Sequence, residues 1–221
     1  MIRVVLADDE PLTRAGIRAV LAAAPDIDVV AEAPEGRAAV ELVHAHRPDV
    51  ALLDIVMPEL DGLSATEEIR RTAPETGVLV LTTFSEDEHI ARALAGGASG
   101  FLVKSGDPHE LIGGVRAVAA GAAFLSPTVA KRVIGRLGGS GAERMAGAAR
   151  ARAQIADLTP REREVLTLVG GGLSNAEIGR RLHVAEGTVK VFVSAVLRRL
   201  EVRNRVQAAI VAYEAGLVER D

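Results

Sequence analysis

Five short runs of the chain are near-continuously apolar: RVVLA, DVVAEA, DVALLD, GVLVLTT and GFLVK. Runs of this kind are what strands buried on both faces require, and burial on both faces is the habit of parallel sheets. Between them the apolar positions take helical spacing, with helix starts expected near Pro11, Gly36, Leu63, Glu86 and Pro108. The last start is the clearest, because Asp107-Pro108-His109-Glu110 offers an N-cap, a proline at the first helical position and an acid behind it. Five βα units predict a doubly wound α/β domain with the flavodoxin-like strand order 2-1-3-4-5. The pattern then weakens. Residues 122–157 read as a partly helical linker, with Gly135, Gly138, Gly139 and Gly141 opposing one rigid helix. From about residue 158 it becomes wholly helical: Thr159-Pro160-Arg161-Glu162 and Ser174-Asn175-Ala176-Glu177 are two capping boxes, and four short helices fit the remainder. The expected organisation is therefore an α/β domain over 1–121, a linker over 122–157 and an all-α domain over 158–221.

Charge divides along the same line. Residues 1–125 hold 10 Lys+Arg against 20 Asp+Glu, whereas residues 126–221 hold 16 against 10, giving −10 and +6 within an overall −4. An acidic front and a basic back are expected when only the back half meets a polyanion. Cysteine is absent, which excludes disulfides, thiolate metal sites and thiol nucleophiles. The opening MIRVVLADDE is too short in apolar residues, and too acidic, for a signal peptide or a membrane span, so a cytoplasmic protein without membrane contact is expected.

The polar residues of the first domain sit at strand ends. Asp8 and Asp9 follow the first strand, Asp54 ends the third, Thr82 and Thr83 the fourth, and Lys104 the fifth. The carboxyl edge of an open parallel sheet is where ligands bind, and the expected order sets strands one and three side by side. Asp8, Asp9 and Asp54 then converge. Three carboxylates repel one another unless a cation joins them, and oxygen ligands suit a hard divalent ion, Mg²⁺ being the natural choice. Such an ion, with Lys104 opposite, would neutralise charge on a phosphoryl group attacked by Asp54, while Thr82 donates a hydroxyl hydrogen bond. Taken singly, Asp8 reads equally well as a helix N-cap, Asp54 as a turn former before Met57-Pro58, and Lys104 as a solvated strand-end charge. Their joint placement favours one site.

Through LADDE, LLDIVMPELDG, VLTTF and GASGFLVK, residues 1–121 resemble the receiver domain of two-component response regulators. The resemblance implies Asp54 as phospho-acceptor, Asp8 and Asp9 as metal-binding acids, Thr82 as switch hydroxyl, Lys104 as phosphate partner and Phe101 as switch aromatic. Phe101 stands where the family often has Tyr, and Gly113-Gly114 where it usually has better helix formers, each glycine costing about 1 kcal/mol relative to Ala.

Residues 159–218 resemble the LuxR-type helix-turn-helix of the NarL/FixJ subfamily through LTPREREVLTLVGGGLSNAEIGRRL, GTVK and AYEAGLV. Asn175 to Leu182 would form the first helix of the pair, His183-Val184-Ala185 the turn and Glu186 to Leu200 the second helix, which enters the major groove. On it Val189, Val193, Val196 and Leu200 face the core at helical spacing, and Lys190, Ser194 and Arg198 line another face beside Val191. Lys190 and Val191 are the candidates for base edges, with Thr188, Arg203 and Arg205 for phosphates. Ala185 replaces a usual capping Ser or Thr, and Phe192 a common His. In the family the last helix contributes to dimerisation, which points to Val206, Ala209, Ile210 and Tyr213.

The function expected is a DNA-binding transcriptional regulator switched when a sensor histidine kinase phosphorylates Asp54. It would work as a homodimer on double-stranded DNA, with RNA polymerase as a further partner and no substrate turnover. Two alternatives compete. A haloacid-dehalogenase-like phosphatase would need a second acid two residues after the nucleophile, where Val56 stands. A phosphorylation-independent regulator would use the first domain for dimerisation alone, which leaves the complete pocket unexplained.

Overall fold

The computed structural model describes residues 1–83, 87–104, 107–127, 129–130, 133 and 141–218. The chain divides into two compact units, one made of Met1–Ala119 and Phe124–Ala130, the other of Ala120–Ala123 and Lys131–Asp221.

The first unit is a parallel sheet of β1 (Ile2–Ala7), β2 (Ile27–Ala33), β3 (Val50–Asp54), β4 (Gly77–Thr82), β5 (Gly100–Val103) and β6 (Phe124–Leu125) in the order β2-β1-β3-β4-β5-β6. The expected order of five is present, with a sixth strand added at its edge. Phe124 pairs with Gly100 and Leu125 with Phe101, so two residues of the expected linker close the outer side of β5. A strand of two residues has no period to read.

Among the described residues five helices cover the sheet: α1 (Pro11–Ala22), α2 (Gly36–His46), α3 (Gly62–Thr72), α4 (Asp87–Gly96) and α5 (Pro108–Ala119). The start expected at Glu86 lies outside the described residues. Alternation within each strand divides the core. Val4, Leu6, Val50, Leu52, Leu79, Leu81 and Leu102 pack with α1 and α5 through Leu21, Leu111, Val115 and Val118. Asp107 caps α5 as expected, its Oδ1 accepting from the His109 N–H at 2.8 Å. The two glycines of α5 differ in their surroundings. A Cβ on Gly114 would lie 3.0 Å from the Phe124 ring and 3.1 Å from Leu79, whereas one on Gly113 would meet nothing within 4 Å.

The second unit contains, among the described residues, α6 (Gly141–Gln154), α7 (Pro160–Gly170), α8 (Asn175–Leu182), α9 (Glu186–Arg199) and α10 (Arg205–Ala215). The four helices expected after residue 158 are α7 to α10, and both capping boxes form, with Thr159–Glu162 opening α7 and Ser174–Glu177 opening α8. The later part of the expected linker is structural. Ala151 and Ile155 join Leu158, Val165, Leu166, Ile178, Val189, Val196 and Val211 in one buried core, and Gln154 donates to the Leu200 carbonyl at 3.3 Å. Gly135, Gly138 and Gly139, invoked for linker flexibility, lie outside the described residues.

Candidate functional site

Strand register assembles the acidic pocket. Ala7 pairs with Leu53, Asp54 with Leu81 and Thr82 with Val103, so Asp8, Asp54, Thr82 and Lys104 emerge at one edge of four adjacent strands. Asp8, Asp54 and Thr82 are buried and Asp9 is exposed. The Lys104 ammonium lies 2.7 Å from Asp8 Oδ2 and 2.9 Å from Asp54 Oδ2. The Ile55 N–H donates to Asp54 Oδ1 at 2.8 Å, the Glu10 N–H to Asp8 Oδ1 at 2.9 Å, and the Lys104 N–H to the Thr82 carbonyl at 2.7 Å. Both ends of the Asp54 carboxylate are therefore oriented.

Burial pushes the Asp54 carboxyl above the ordinary aspartate range and Asp8 adds repulsion, opposed by Lys104 and the Ile55 N–H. Burial also works against the Lys104 ammonium, but its hydrogen bonds to Asp8 and Asp54 outweigh it and the pKa moves up. One Lys therefore faces two buried acids, with Asp9 as a third beside them. Asp8, Asp9 and Asp54 each offer a carboxylate oxygen, and these oxygens lie within 4.8 Å of one another. Asp8 Oδ2 is buried and, apart from the Lys104 contact, meets no hydrogen-bond donor among the described residues. An oxygen-only donor set with an underused buried lone pair fits a hard divalent cation such as Mg²⁺.

Phe101 is wholly buried, and its carbonyl accepts from the Ser126 N–H at 3.1 Å. Val56, where a phosphatase of the alternative kind would need an acid, is an apolar side chain 63% exposed. Gly62 escaped the sequence reading. Its N–H donates to the Ile55 carbonyl at 2.9 Å, and a Cβ there would fall 1.8 Å from the Asp54 carbonyl oxygen. The loop after β3 folds over Asp54 because this residue has no side chain; the Asp61-Gly62 pair in PELDG was the available signal.

In the second unit α8 and α9 form the expected pair. His183 closes α8 in the left-handed conformation at φ 54°, and the Val184 N–H returns to the Gly179 carbonyl at 3.0 Å. A Cβ on Gly179 would sit 2.8 Å from the Val184 carbonyl oxygen, so this glycine sets the tightness of the turn and is a second residue that sequence reasoning passed over. Ala185 opens α9 without a side-chain cap. Val189, Val196 and Leu200 are buried and Val193 packs on the same core, while Thr188, Lys190, Val191, Ser194, Arg198 and Arg203 are exposed. The half-buried Phe192 packs against the core, with the Arg161 guanidinium 5.6 Å from its ring centroid, so an apolar and cation–π contact occupies this position.

Two expectations require correction. Arg205, expected on phosphate, is 6% exposed, and its guanidinium donates to the Asn175 Oδ1 at 2.9 Å and to the Leu173 carbonyl. Burial pushes its pKa down to about 10, which leaves it cationic at neutral pH but spent on internal acceptors. Val206, expected at a dimer contact, is buried in the first turn of α10 beside the buried Asn204 and Arg205. Of its companions Tyr213 is exposed, and Ala209 and Ile210 are half-buried.

Comparison with known proteins agrees with this geometry. Residues 4–116 match the response regulator receiver domain, and residues 156–212 match the luxR family of bacterial regulatory proteins. The chain is 37% identical over 218 residues to the transcriptional regulatory protein LiaR of Bacillus subtilis, spanning 99% of this chain and 100% of that one. It is 34% identical over 219 residues to the response regulator protein VraR of Staphylococcus aureus, spanning 99% of each. Among solved structures it is similar to ChrA, a response regulator of a heme-sensing two-component system, at a TM-score of 0.53 and 33% identity over 98% of both chains.

Proposed function

Because the chain belongs to the two-component response regulators that join a receiver domain to a LuxR-type DNA-binding domain, we propose that Asp54 is the phospho-acceptor through which a sensor histidine kinase controls this transcription regulator. The observation that carries the reading is the meeting of Asp8, Asp54 and Lys104 from three strand ends, with the ammonium 2.7 and 2.9 Å from the two carboxylates.

Asp54 supplies the attacking oxygen; its bond to phosphorus forms as the bond from phosphorus to the donor breaks. The Ile55 N–H holds the carboxylate in place, and burial keeps competing water away. Lys104 would leave the Asp54 carboxylate and pair with the new phosphoryl oxygens, with the Thr82 hydroxyl as a further donor. Asp8, Asp9 and Asp54 would hold Mg²⁺, which when bound neutralises charge on the transferring group. The phosphoryl group carries roughly one and a half to two negative charges where the Asp54 carboxylate carried one, and it is an accepted group rather than a turned-over substrate.

For DNA, Lys190 and Val191 are proposed for base edges, Ser194 and Arg198 for the same groove-facing stripe, and Thr188 and Arg203 for phosphates. Tyr213, with Ala209 and Ile210, is proposed for dimer contact on a two-fold site, and RNA polymerase for the partner recruited there. The setting is the cytoplasm, where this DNA lies.

The test compares wild type with Asp54→Asn after treatment with a small phosphodonor, reading the phosphoryl mass shift and the affinity for a footprinted promoter. Wild type should gain both and the variant neither. A promoter affinity that responds equally in both would refute the role of Asp54. Lys190→Ala should lose more specific than non-specific binding; equal loss would make it a phosphate contact.

A further inference from the structure

Arg14 lies one turn into α1 and sends its guanidinium back to the sheet. Its Nη1 donates to the Asp8 carbonyl at 2.6 Å, and its Nε lies 3.4 Å from Glu32, near the end of β2. Glu32 in turn meets Arg18 at 3.2 Å. Asp8 is thereby held at every polar atom. Its N–H donates to Ala33 at 3.2 Å, Oδ1 accepts from Glu10, Oδ2 faces Lys104, and the carbonyl accepts from Arg14. Asp9 contrasts with it, since no hydrogen bond or ion pair among the described residues grips its carboxylate. The Asp8 carbonyl and the Asp9 N–H share one planar peptide unit, so an oxygen held by Arg14 also fixes the direction in which the chain enters Asp9.

We infer that Arg14, braced by Glu32, is a positioning residue that aims the Asp9 carboxylate into the divalent-cation site. The inference rests on the reading that Asp8, Asp9 and Asp54 bind such a cation. Charge alone makes the opposite prediction: a guanidinium beside the site repels a cation, so deleting it would tighten binding. The sign of the change separates the two accounts.

The experiment is calorimetric titration of Mg²⁺ into the full chain as wild type, Arg14→Gln and Arg14→Lys, with each thermal midpoint measured without metal. Arg14→Gln should weaken Mg²⁺ about tenfold, the usual scale for losing a group that orients a metal ligand. Arg14→Lys keeps the charge but loses the two-pronged contact, and should also bind more weakly; it carries the test if Arg14→Gln does not fold. Phosphorylation of Asp54 at saturating Mg²⁺ should return to the wild-type rate. Unchanged or tighter Mg²⁺ binding overturns the assignment, as does a lowered midpoint with unchanged affinity, or a rate defect that persists at saturation. A wild type that binds no Mg²⁺ overturns the cation-site reading itself, and the assignment with it.

Discussion

Replacing Lys104 by Met removes the ammonium that faces two buried carboxylates while keeping most of its apolar stem. In its absence the 2.7 and 2.9 Å contacts to Asp8 and Asp54 are lost, and two like charges remain in a pocket with little water. Breaking a buried ion pair by deleting one partner costs about 3–5 kcal/mol. A ceiling comes from protonation, because Asp54 can bind a proton rather than stay unpaired. At pH 7, about three units above the ordinary aspartate value near 3.9, that uptake costs about 4 kcal/mol, and at pH 5 only about 1.5 kcal/mol. The expected loss is therefore about 3–4 kcal/mol at pH 7, shrinking below about 1.5 kcal/mol at pH 5. The sign follows from linkage. Burial and Asp8 already raise the folded-state pKa of Asp54, and loss of Lys104 raises it further. A carboxyl whose folded pKa exceeds its unfolded value loses stability as pH climbs between the two, so the deficit must grow from about pH 4 upward. Urea unfolding of the full chain without divalent ions, followed by circular dichroism at both pH values, measures it. The double variant Lys104→Met/Asp54→Asn should recover much of the loss. A deficit under about 1 kcal/mol at pH 7, or one equal at the two pH values, would refute the electrostatic account of the pocket.

Gly113→Ala should stabilise the first unit by about 1 kcal/mol in urea unfolding, whereas Gly114→Ala should gain less or lose, since its Cβ meets Phe124 at 3.0 Å. Equal gains would mean that α5 is not held close by its second glycine. Ala185→Ser supplies the missing cap of α9, at φ −64° and ψ 147° where Ser fits, and should raise the stability of the second unit by about 1 kcal/mol in thermal unfolding. No gain would show that the α9 donors are already satisfied. Gly179→Ala forces a Cβ to 2.8 Å from the Val184 carbonyl and should destabilise the second unit by about 1–3 kcal/mol while weakening promoter binding; wild-type values for both would disprove the tight-turn argument.

The features legible in the sequence share a physical origin. Strands such as Val50–Asp54 are buried on both faces and so lack polar positions until they end, which makes the polar residue at the end conspicuous. Asp54 and Lys104 stand out for that reason. Features created by neighbours distant in sequence do not stand out. Arg205 reads as a free cation at a helix start, and only the fold brings Asn175 and the Leu173 carbonyl to its guanidinium. Arg14 is equally silent, because its partners are a backbone carbonyl and an acid on another strand. In α6 the buried Ala151 lies among alanines and arginines too uniform to mark a core face, and β6 is too short to show any alternation.

The burial of Phe101 bears on how a signal at Asp54 travels. Moving such a side chain from water to the interior is worth about 1.5–3 kcal/mol, and Phe101 is wholly buried. β6 pairs along β5, and Ser126 holds the Phe101 carbonyl, so an outward swing of the strand would have to strip that edge. A modification shifts an equilibrium only through interactions that differ between the two states. An inward ring gains packing alone, since Phe has no hydroxyl with which to form a new bond. The differential free energy must therefore come from groups whose partners change on phosphorylation. On the proposed role of Asp54, Lys104, which would leave a carboxylate for a phosphoryl oxygen, and Thr82, at the neighbouring strand end, would be those groups. On the proposed role of Asp54, transmission would start from polar exchange at the ends of β4 and β5, with the aromatic side chain contributing packing alone.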